Sequence, residues 1–261
     1  LDKLASGALA AIRAALYVAL TVPLMPVQAL FVALDWRMAA SLPRWYHARC
    51  AGLFGMQIRT LGAPVADRPV LFVANHVSYM DIVALSAVAE VSFVAKTEIA
   101  GWPFFGWLAR LQRTVFVGRQ RANVANEKSA LERRLAQGGA LVLFAEGTTG
   151  DGNRTRPFKS ALFAAAERAG VTVQPVTIAY TRLDNMPLCR TLRPAVAWYG
   201  SMELLPHLWR LIGLGRLGVE IVFHPATTLA QAGSRKALSH HCESTISQTL
   251  ANANAGRPVA A

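Results

Sequence analysis

Cysteine is scarce in this chain: Cys50, Cys189 and Cys242 are the only three among 261 residues, and no two form a C-x-x-C pair. That spacing offers neither a disulfide framework nor a zinc site, and reads as unpaired thiols in a reducing compartment. Charge is scarce too. Only 16% of residues are charged while 53% are hydrophobic, and the mean hydropathy is +0.31, unusual for a fully water-soluble protein. The charge present is one-sided, with 27 Lys and Arg against 15 Asp and Glu, a formal +12. Such an excess must face something negative: nucleic acid, anionic lipid or an acidic protein. Nucleic acid ranks last, because dense Lys/Arg clusters with aromatics on a polar surface are missing. A basic, apolar chain fits a membrane surface better. Also absent are a G-x-S-x-G elbow, a Walker loop and an H-E-x-x-H pair. "GLGRLG", Gly213 to Gly218, matches G-x-G-x-x-G but follows a helical stretch and leads into a strand, so it reads as a turn. "SHHCES", Ser239 to Ser244, looks metal-like, but adjacent helical residues point about 100° apart and a solvated face is the better reading.

One long run carries no charge: Ala14 to Leu34, "AALYVALTVPLMPVQALFVAL". As a single straight helix it would reach about 30 Å, the thickness of a hydrocarbon core. Pro23 and Pro26 argue for two shorter segments dipping into one leaflet, since each proline removes an amide donor and crowds the preceding turn. Arg13 before the run, and Arg37, Arg44, Arg49, Trp36 and Trp45 after it, suit an interfacial belt. Two rival readings are a secretory signal ending near Val27-Gln28-Ala29 and a buried hairpin of a soluble protein. The division that follows is a membrane-associating helical segment over residues 1–50, an α/β domain over 51–251 and a small polar tail, 252–261, expected to fray.

Beyond residue 55, short apolar runs alternate with helix-like stretches. Strands are predicted at Gln57–Leu61, Val70–Ala74, Val91–Ala95, Thr114–Val117, Ala140–Ala145, Val171–Ile178, Ala195–Tyr199 and Val219–His224. Helices are predicted at Tyr79–Ala89, Pro103–Leu111, Val124–Gln137, Lys159–Arg168, Met202–Ile212 and Arg235–Ala251. The alternation predicts an α/β fold with a largely parallel central sheet flanked by helices, preceded by the N-terminal hydrophobic helical anchor. In such sheets ligands sit at the carboxyl ends of the strands. His76, Lys96 and Glu146 each fall just past a predicted strand end.

Four stretches carry chemistry. "NHVSYMD" holds Asn75, His76 and Asp81. Ser78 and Asp81 resemble a capping box. On a continuous helix residues five apart lie about 140° apart and cannot meet. A histidine in the strand–helix loop and an aspartate in the first turn can. The carboxylate then fixes the ring tautomer, and the other ring nitrogen can take a proton from a substrate hydroxyl. "LFAEGTTGDGNRTRPFKSALF" ends a strand in Glu146-Gly147-Thr148 and continues through Thr149 and Asp151 to Arg154, Arg156 and Lys159. Free amides, hydroxyls and cations suit an anionic headgroup, and a solvated basic loop is the plain alternative. "KTEIAGWPFFGWLARLQRTVFVGR", Lys96 to Arg119, mixes aromatics and cations as an acyl channel or a lipid-resting surface would, or as an ordinary helix–strand unit. "VTVQPVTIAY" puts Pro175 inside a strand-like run and so marks an edge or bulge.

Together, over roughly residues 55 to 225, these stretches resemble the glycerolipid acyltransferase family typified by lysophosphatidic acid acyltransferases. The matching blocks are N-H-x-x-x-x-D (Asn75, His76, Asp81), the run closing in Phe116, Val117 and Arg119, E-G-T (Glu146, Gly147, Thr148) and V-x-P-V (Val173, Pro175, Val176). The resemblance implies His76 as general base, Asp81 as its orienting partner, and a fatty acyl thioester on acyl carrier protein or coenzyme A as donor. It implies an anchored protein on the inner, cytoplasmic membrane with its site facing the cytoplasm, and no metal or redox cofactor. It leaves Asn75, Lys96, Arg119, Glu146, Gly147, Thr148, Thr149, Asp151, Arg154 and Arg156 as substrate-binding candidates. Amides near Gly147 or Pro175–Val176 are candidates for an oxyanion site.

Phosphate-acceptor members usually read E-G-T-R. Here Thr149 replaces that arginine, and threonine cannot fork a phosphate. Arg113 and Gly118 also stand where glycine and aspartate are common. "EGTTGDGNR", "VAKTEIAGWPFFG" and "IAYTRLD" look more like the lyso-ornithine lipid O-acyltransferase branch, whose acceptor has an amino-acid headgroup and a hydroxyl on an amide-linked chain. Asp151 would then pair with the ornithine ammonium, and Arg154 or Arg156 with its carboxylate. The competing functions are a lysophosphatidic acid acyltransferase, a metal-dependent hydrolase using His76, Asp81 and Glu146 as ligands, and a non-catalytic lipid-binding protein.

Overall fold

The computed structural model describes residues 5–118, 124–167 and 171–259. The chain opens with α1 (Gly7–Ala33) and α2 (Met38–Leu53). There follow β1 (Met56–Leu61), β2 (Val70–Ala74), α3 (Met80–Val88), β3 (Ser92–Lys96), α4 (Phe105–Leu111), β4 (Val115–Val117), α5 (Val124–Ala136) and β5 (Ala140–Phe144). The second half holds β6 (Thr172–Leu183), the short β7 (Met186–Pro187), α6 (Leu204–Ile212), β8 (Leu217–Phe223), α7 (Leu229–Ala232) and α8 (Arg235–Asn254). The sheet order is β1-β8-β6-β2-β5-β3-β4, and every neighbouring pair in it is parallel except β6–β8. The predicted α/β fold with a largely parallel sheet is therefore the observed one.

Burial on both faces explains why the strands read as unbroken apolar runs. In β2, Val70, Phe72 and Ala74 enter one core with Met80, Leu85, Ile178 and Ile221. Leu71 and Val73 enter the other with Leu141, Leu143, Leu238 and Ile246. The first core lies under α2, α3 and α6, the second under α5 and α8. With β2 between β6 and β5, its carboxyl end opens in the middle of the sheet.

Several expectations need correction. The prolines do not divide the N-terminal run, because α1 is continuous through Pro23 and Pro26. Both rings lie on its exposed side, with Ala19 and Val22, whose carbonyls lose the two amide partners. The inner side packs along α2, α4 and α6, and that contact offsets the roughly 3 kcal/mol an interior proline costs. Ala195–Tyr199 is no strand: Pro194 opens a single 3₁₀ turn at Arg193–Ala195, and buried Val196 and Ala197 serve as core. Within the predicted helix Lys159–Arg168, Ser160–Glu167 forms a 3₁₀ helix rather than an α-helix, and Arg168 lies outside the described residues. Residues 252–254 of the predicted tail complete α8, and Val259 packs beside Leu250 and Ala253.

Pro175 is the most instructive miss. It lies in β6, near the centre of the sheet, opposite Val73 of β2. The His224 amide donates to its carbonyl at 3.0 Å. The return bond, which proline cannot make, is replaced by the side chain of Gln174, whose Nε2 donates to the His224 carbonyl at 2.8 Å. The same side chain bonds the Ala63 carbonyl and the Val65 amide.

Candidate active site

Asp81 sits in the first turn of α3 with no exposed surface. Its Oδ2 accepts from His76 Nδ1 at 2.8 Å and from the amides of Val77 and Ser78 at 2.7 and 3.0 Å. Its Oδ1 accepts from the Tyr180 hydroxyl at 2.7 Å. The histidine is in the loop and the aspartate on the helix, the one arrangement in which residues five apart meet. Half of the capping box forms, since Asp81 caps the Ser78 amide, while Ser78 Oγ reaches the Met80 amide only at 3.4 Å. A carboxylate only accepts, so His76 Nδ1 carries the proton and Nε2 presents its lone pair. Among the described residues no group is hydrogen-bonded to Nε2.

The backbone of His76 is held from both sides. Its amide donates to Glu146 Oε1 at 2.9 Å and its carbonyl accepts from the Gly150 amide at 2.8 Å. Its ring stacks on Phe144, the last residue of β5, at 3.8 Å between centroids. Glu146 also accepts the Arg156 amide at 2.9 Å. Burial pushes its carboxyl up to about 7, against the two amide hydrogen bonds, which favour the charged form. Glu146 thus braces two loops, and both of its oxygens face backbone amides. Among the described residues no group of three His, Cys, Asp or Glu is placed to hold a metal ion.

Asn75 is buried, and both ends of its amide pair with the backbone of Ile178 at 2.9 Å. It fastens the loop to β6. Gly147 takes a left-handed φ of +68°, and a Cβ there would stand 2.8 Å from Lys159 Nζ, so this turn needs glycine. Thr148 is exposed and Thr149 buried. The candidate oxyanion amides at Pro175–Val176 are not available, since proline has no N–H and Val176 is fully buried opposite Ala74. Asp151 receives the Asn153 amide and side chain at 3.0 and 3.1 Å. Partial burial would raise its carboxyl, but these bonds and nearby Arg154 prevail and hold it below the usual range. Arg154, Arg156 and Lys159 are exposed, and among the described residues none is in a salt bridge. Lys96 closes β3, beside Ala95, which lines the cavity described below. Arg119 lies outside the described residues.

Three contributors were not singled out in the sequence. Tyr180 anchors Asp81, and burial, then the carboxylate itself, drives its hydroxyl well above the usual value, so it stays a donor. Buried Arg193 donates to Asn153 Oδ1 at 2.8 Å. Asn254 donates to the carbonyls of Gly152 and Asn153 at 3.1 and 3.3 Å, pinning the loop that follows E-G-T-T. Only Tyr180 had a signal, as a hydroxyl closing a buried strand run.

His76 borders an apolar cavity of about 680 Å³ that runs between α1, α2, α3, α4 and α6, with Tyr17, Met80, Val83, Phe104, Leu108 and Leu208 among its walls. From Ala14 to Gln28 it follows α1 for about 21 Å. That helix is turned inside out. Thr21 and Gln28 face inward, bonded to Tyr17 and Tyr46 and to the Ala39 and Leu111 carbonyls. Ile12, Leu16, Val22, Val27 and Leu30 face out. α1 is long and apolar enough to cross a membrane. Aliphatics on the open face and polar groups inside suit a lipid contact.

Comparison with known proteins agrees with this geometry. Residues 57–179 match the family model described as "Acyltransferase". A lyso-ornithine lipid O-acyltransferase of Brucella abortus is 46% identical over 250 residues, covering 93% of this chain and 94% of the relative. One from Rhizobium meliloti is 42% identical, covering 93% and 86%. The fold matches the crystal structure of the 1-acyl-sn-glycerophosphate acyltransferase of Thermotoga maritima, with a TM-score of 0.61 at 21% identity over 81% of this chain and 78% of that one. The chain belongs to the acyltransferase family that includes the lyso-ornithine lipid O-acyltransferases.

Proposed function

We propose that this acyltransferase moves a fatty acyl group from a thioester, on acyl carrier protein or coenzyme A, to the hydroxyl of a lyso-ornithine lipid. The observation that carries the reading is the His76–Asp81 pair, its free Nε2 beside a long apolar cavity. The acceptor O–H gives its proton to Nε2 as its oxygen attacks the thioester carbonyl. Asp81, held by four donors, stabilises the imidazolium. The C–S bond then breaks, and His76 returns the proton to the departing sulfur. The steps balance without a metal or redox cofactor. The cavity shelters hydrocarbon, while Arg154, Arg156 and Lys159 offer charge to a carboxylate headgroup and Asp151 to an ammonium. The activity named for the relatives from Brucella and Rhizobium supports this acceptor. The protein works on the cytoplasmic face of the inner membrane, with α1 in lipid.

The same three exposed cations favour a second reading, an acceptor bearing a phosphate. One experiment separates the two. The protein is incubated with acyl carrier protein thioester or coenzyme A thioester and with both lysolipids in competition, and the products are weighed. Acylated ornithine lipid as the main product is expected. Phosphatidic acid instead would replace the acceptor, and no consumption of thioester would remove the reaction.

A further inference from the structure

The residues that both line the cavity and are open to the outside mark its mouth. They are Val18 on α1, Pro103 ahead of α4, and Leu205 and Trp209 on α6. All four are apolar, and Leu205 and Trp209 are 67% and 47% exposed. Being four apart on a helix, these two form one patch. α6 is not an isolated surface helix. Arg13 of α1 donates to the carbonyls of Ile212 and Leu214 at 3.0 and 2.6 Å, and the Tyr79 hydroxyl bonds His207 Nδ1 at 2.8 Å. The helix that carries the patch is therefore fastened to α1, and to the residue three places after His76. Exposed Arg210 follows Trp209 directly, on a chain of +12, and suits an anionic lipid surface.

We infer that α6 is a second membrane-contacting element, and that the gap framed by Val18, Pro103, Leu205 and Trp209 is a lateral port through which the hydrocarbon chain of the acceptor lipid passes from the bilayer to His76. The occupant is lipid because a mouth ringed by apolar side chains gives no polar partner to water or to a charged headgroup, whereas it continues a bilayer's hydrocarbon without a break. The inference rests on the proposed membrane-bound acyl transfer and adds its route of entry.

The test uses the full chain with Cys189, Cys50 and Cys242 changed to Ser, Ala and Ala, so that single cysteines introduced at residues 16, 205 and 236 can carry an environment-sensitive fluorophore. Leu16 reports the outward face of α1. Lys236, exposed on α8 across the sheet, reports water. Vesicles of phosphatidylcholine and phosphatidylglycerol carry nitroxide on their acyl chains. Labels at 16 and 205 are expected to lose most of their emission and the label at 236 to keep it. Loss at 16 with none at 205 overturns the port and leaves the anchor standing. Loss at neither site overturns both. A second measurement covers function: Leu205→Asp with Trp209→Asp should raise KM for vesicle-borne lysolipid by about tenfold or more, with kcat kept, since a carboxylate resists hydrocarbon. An unchanged KM also overturns the port.

Discussion

Asp81→Asn separates the capping that Asp81 provides from the imidazolium stabilisation proposed for it. The wild-type carboxylate accepts three donors on Oδ2 and the Tyr180 hydroxyl on Oδ1. An asparagine with its carbonyl oxygen in the Oδ2 place still accepts from His76 Nδ1, Val77 and Ser78. Its NH₂ then faces the Tyr180 oxygen, which can accept once its proton rotates away. The cap, the loop and the tautomer survive, and only the negative charge is lost. At about 4 Å and an effective dielectric of about 20, attraction between that charge and an imidazolium is about 4 kcal/mol, part of which the amide dipole replaces. The expected loss is therefore about 10²–10³-fold in kcat, with KM largely kept because the imidazolium exists only during reaction. Asp81→Ala should behave differently. It strands the buried amides of Val77 and Ser78 and the Tyr180 hydroxyl, at about 1–3 kcal/mol each. Together these approach the whole stability of a typical domain, about 5–15 kcal/mol. The assays are steady-state acyl transfer in vesicles and urea unfolding of both purified variants. A kcat for Asp81→Asn within about threefold of wild type would falsify imidazolium stabilisation and leave Asp81 as a cap alone.

Tyr180→Phe removes one hydrogen bond to that buried carboxylate, and should lower stability by about 1.5–3 kcal/mol in urea unfolding while slowing transfer by about tenfold. Gln174→Met deprives the Ala63 and His224 carbonyls and the Val65 amide of their partner, and should destabilise by about 2–4 kcal/mol with kcat unchanged, because the latch lies in the sheet and away from His76. Glu146 titrates near 7 in the fold against an ordinary 4.5, so its neutral form is the favoured one. Its contribution to stability is greatest below 4.5 and falls by about 3 kcal/mol as pH rises through 7. Relative to Glu146→Gln, the wild type should lose stability between pH 4.5 and 7, and a flat difference would refute the desolvation argument.

Where the sequence was legible, a periodic pattern or a local loop did the specifying. The strand β2 and the loop to α3 follow from an apolar run closed by Asn75 and His76, and the meeting of His76 with Asp81 needs only six residues of chain. What could not be read depends on contacts between distant segments. Tyr180 reaches Asp81 across 99 positions, Asn75 reaches Ile178 across 103, and Asn254 reaches Gly152 across 102. Asn75 illustrates the consequence. A conspicuous polar residue beside a histidine suggests a substrate-binding group, and in the fold both ends of its amide bond the Ile178 backbone and hold the loop on β6. Pro175 failed in the opposite sense, since the rule against proline in a central strand concerns the missing hydrogen bond, and Gln174 supplies one from its side chain.

The polar groups around His76 act almost entirely on backbone, and that division of labour bears on mechanism. Glu146, Gly150 and Asp81 fix the main chain at 76–78, Asn75 joins it to β6, and Arg193 and Asn254 hold the neighbouring loop at Gly152–Asn153. The imidazole can then be oriented by one carboxylate oxygen and one stacked ring, Phe144, while Nε2 has no hydrogen-bond partner among the described residues, as the proposed base requires. A base held by a rigid main chain needs little reorganisation when the proton moves. The same economy explains how the site can adjoin so apolar a cavity. Its charges are satisfied on the sheet side, so no buried ion has to be solvated from the hydrocarbon side, where a fatty chain offers nothing in return.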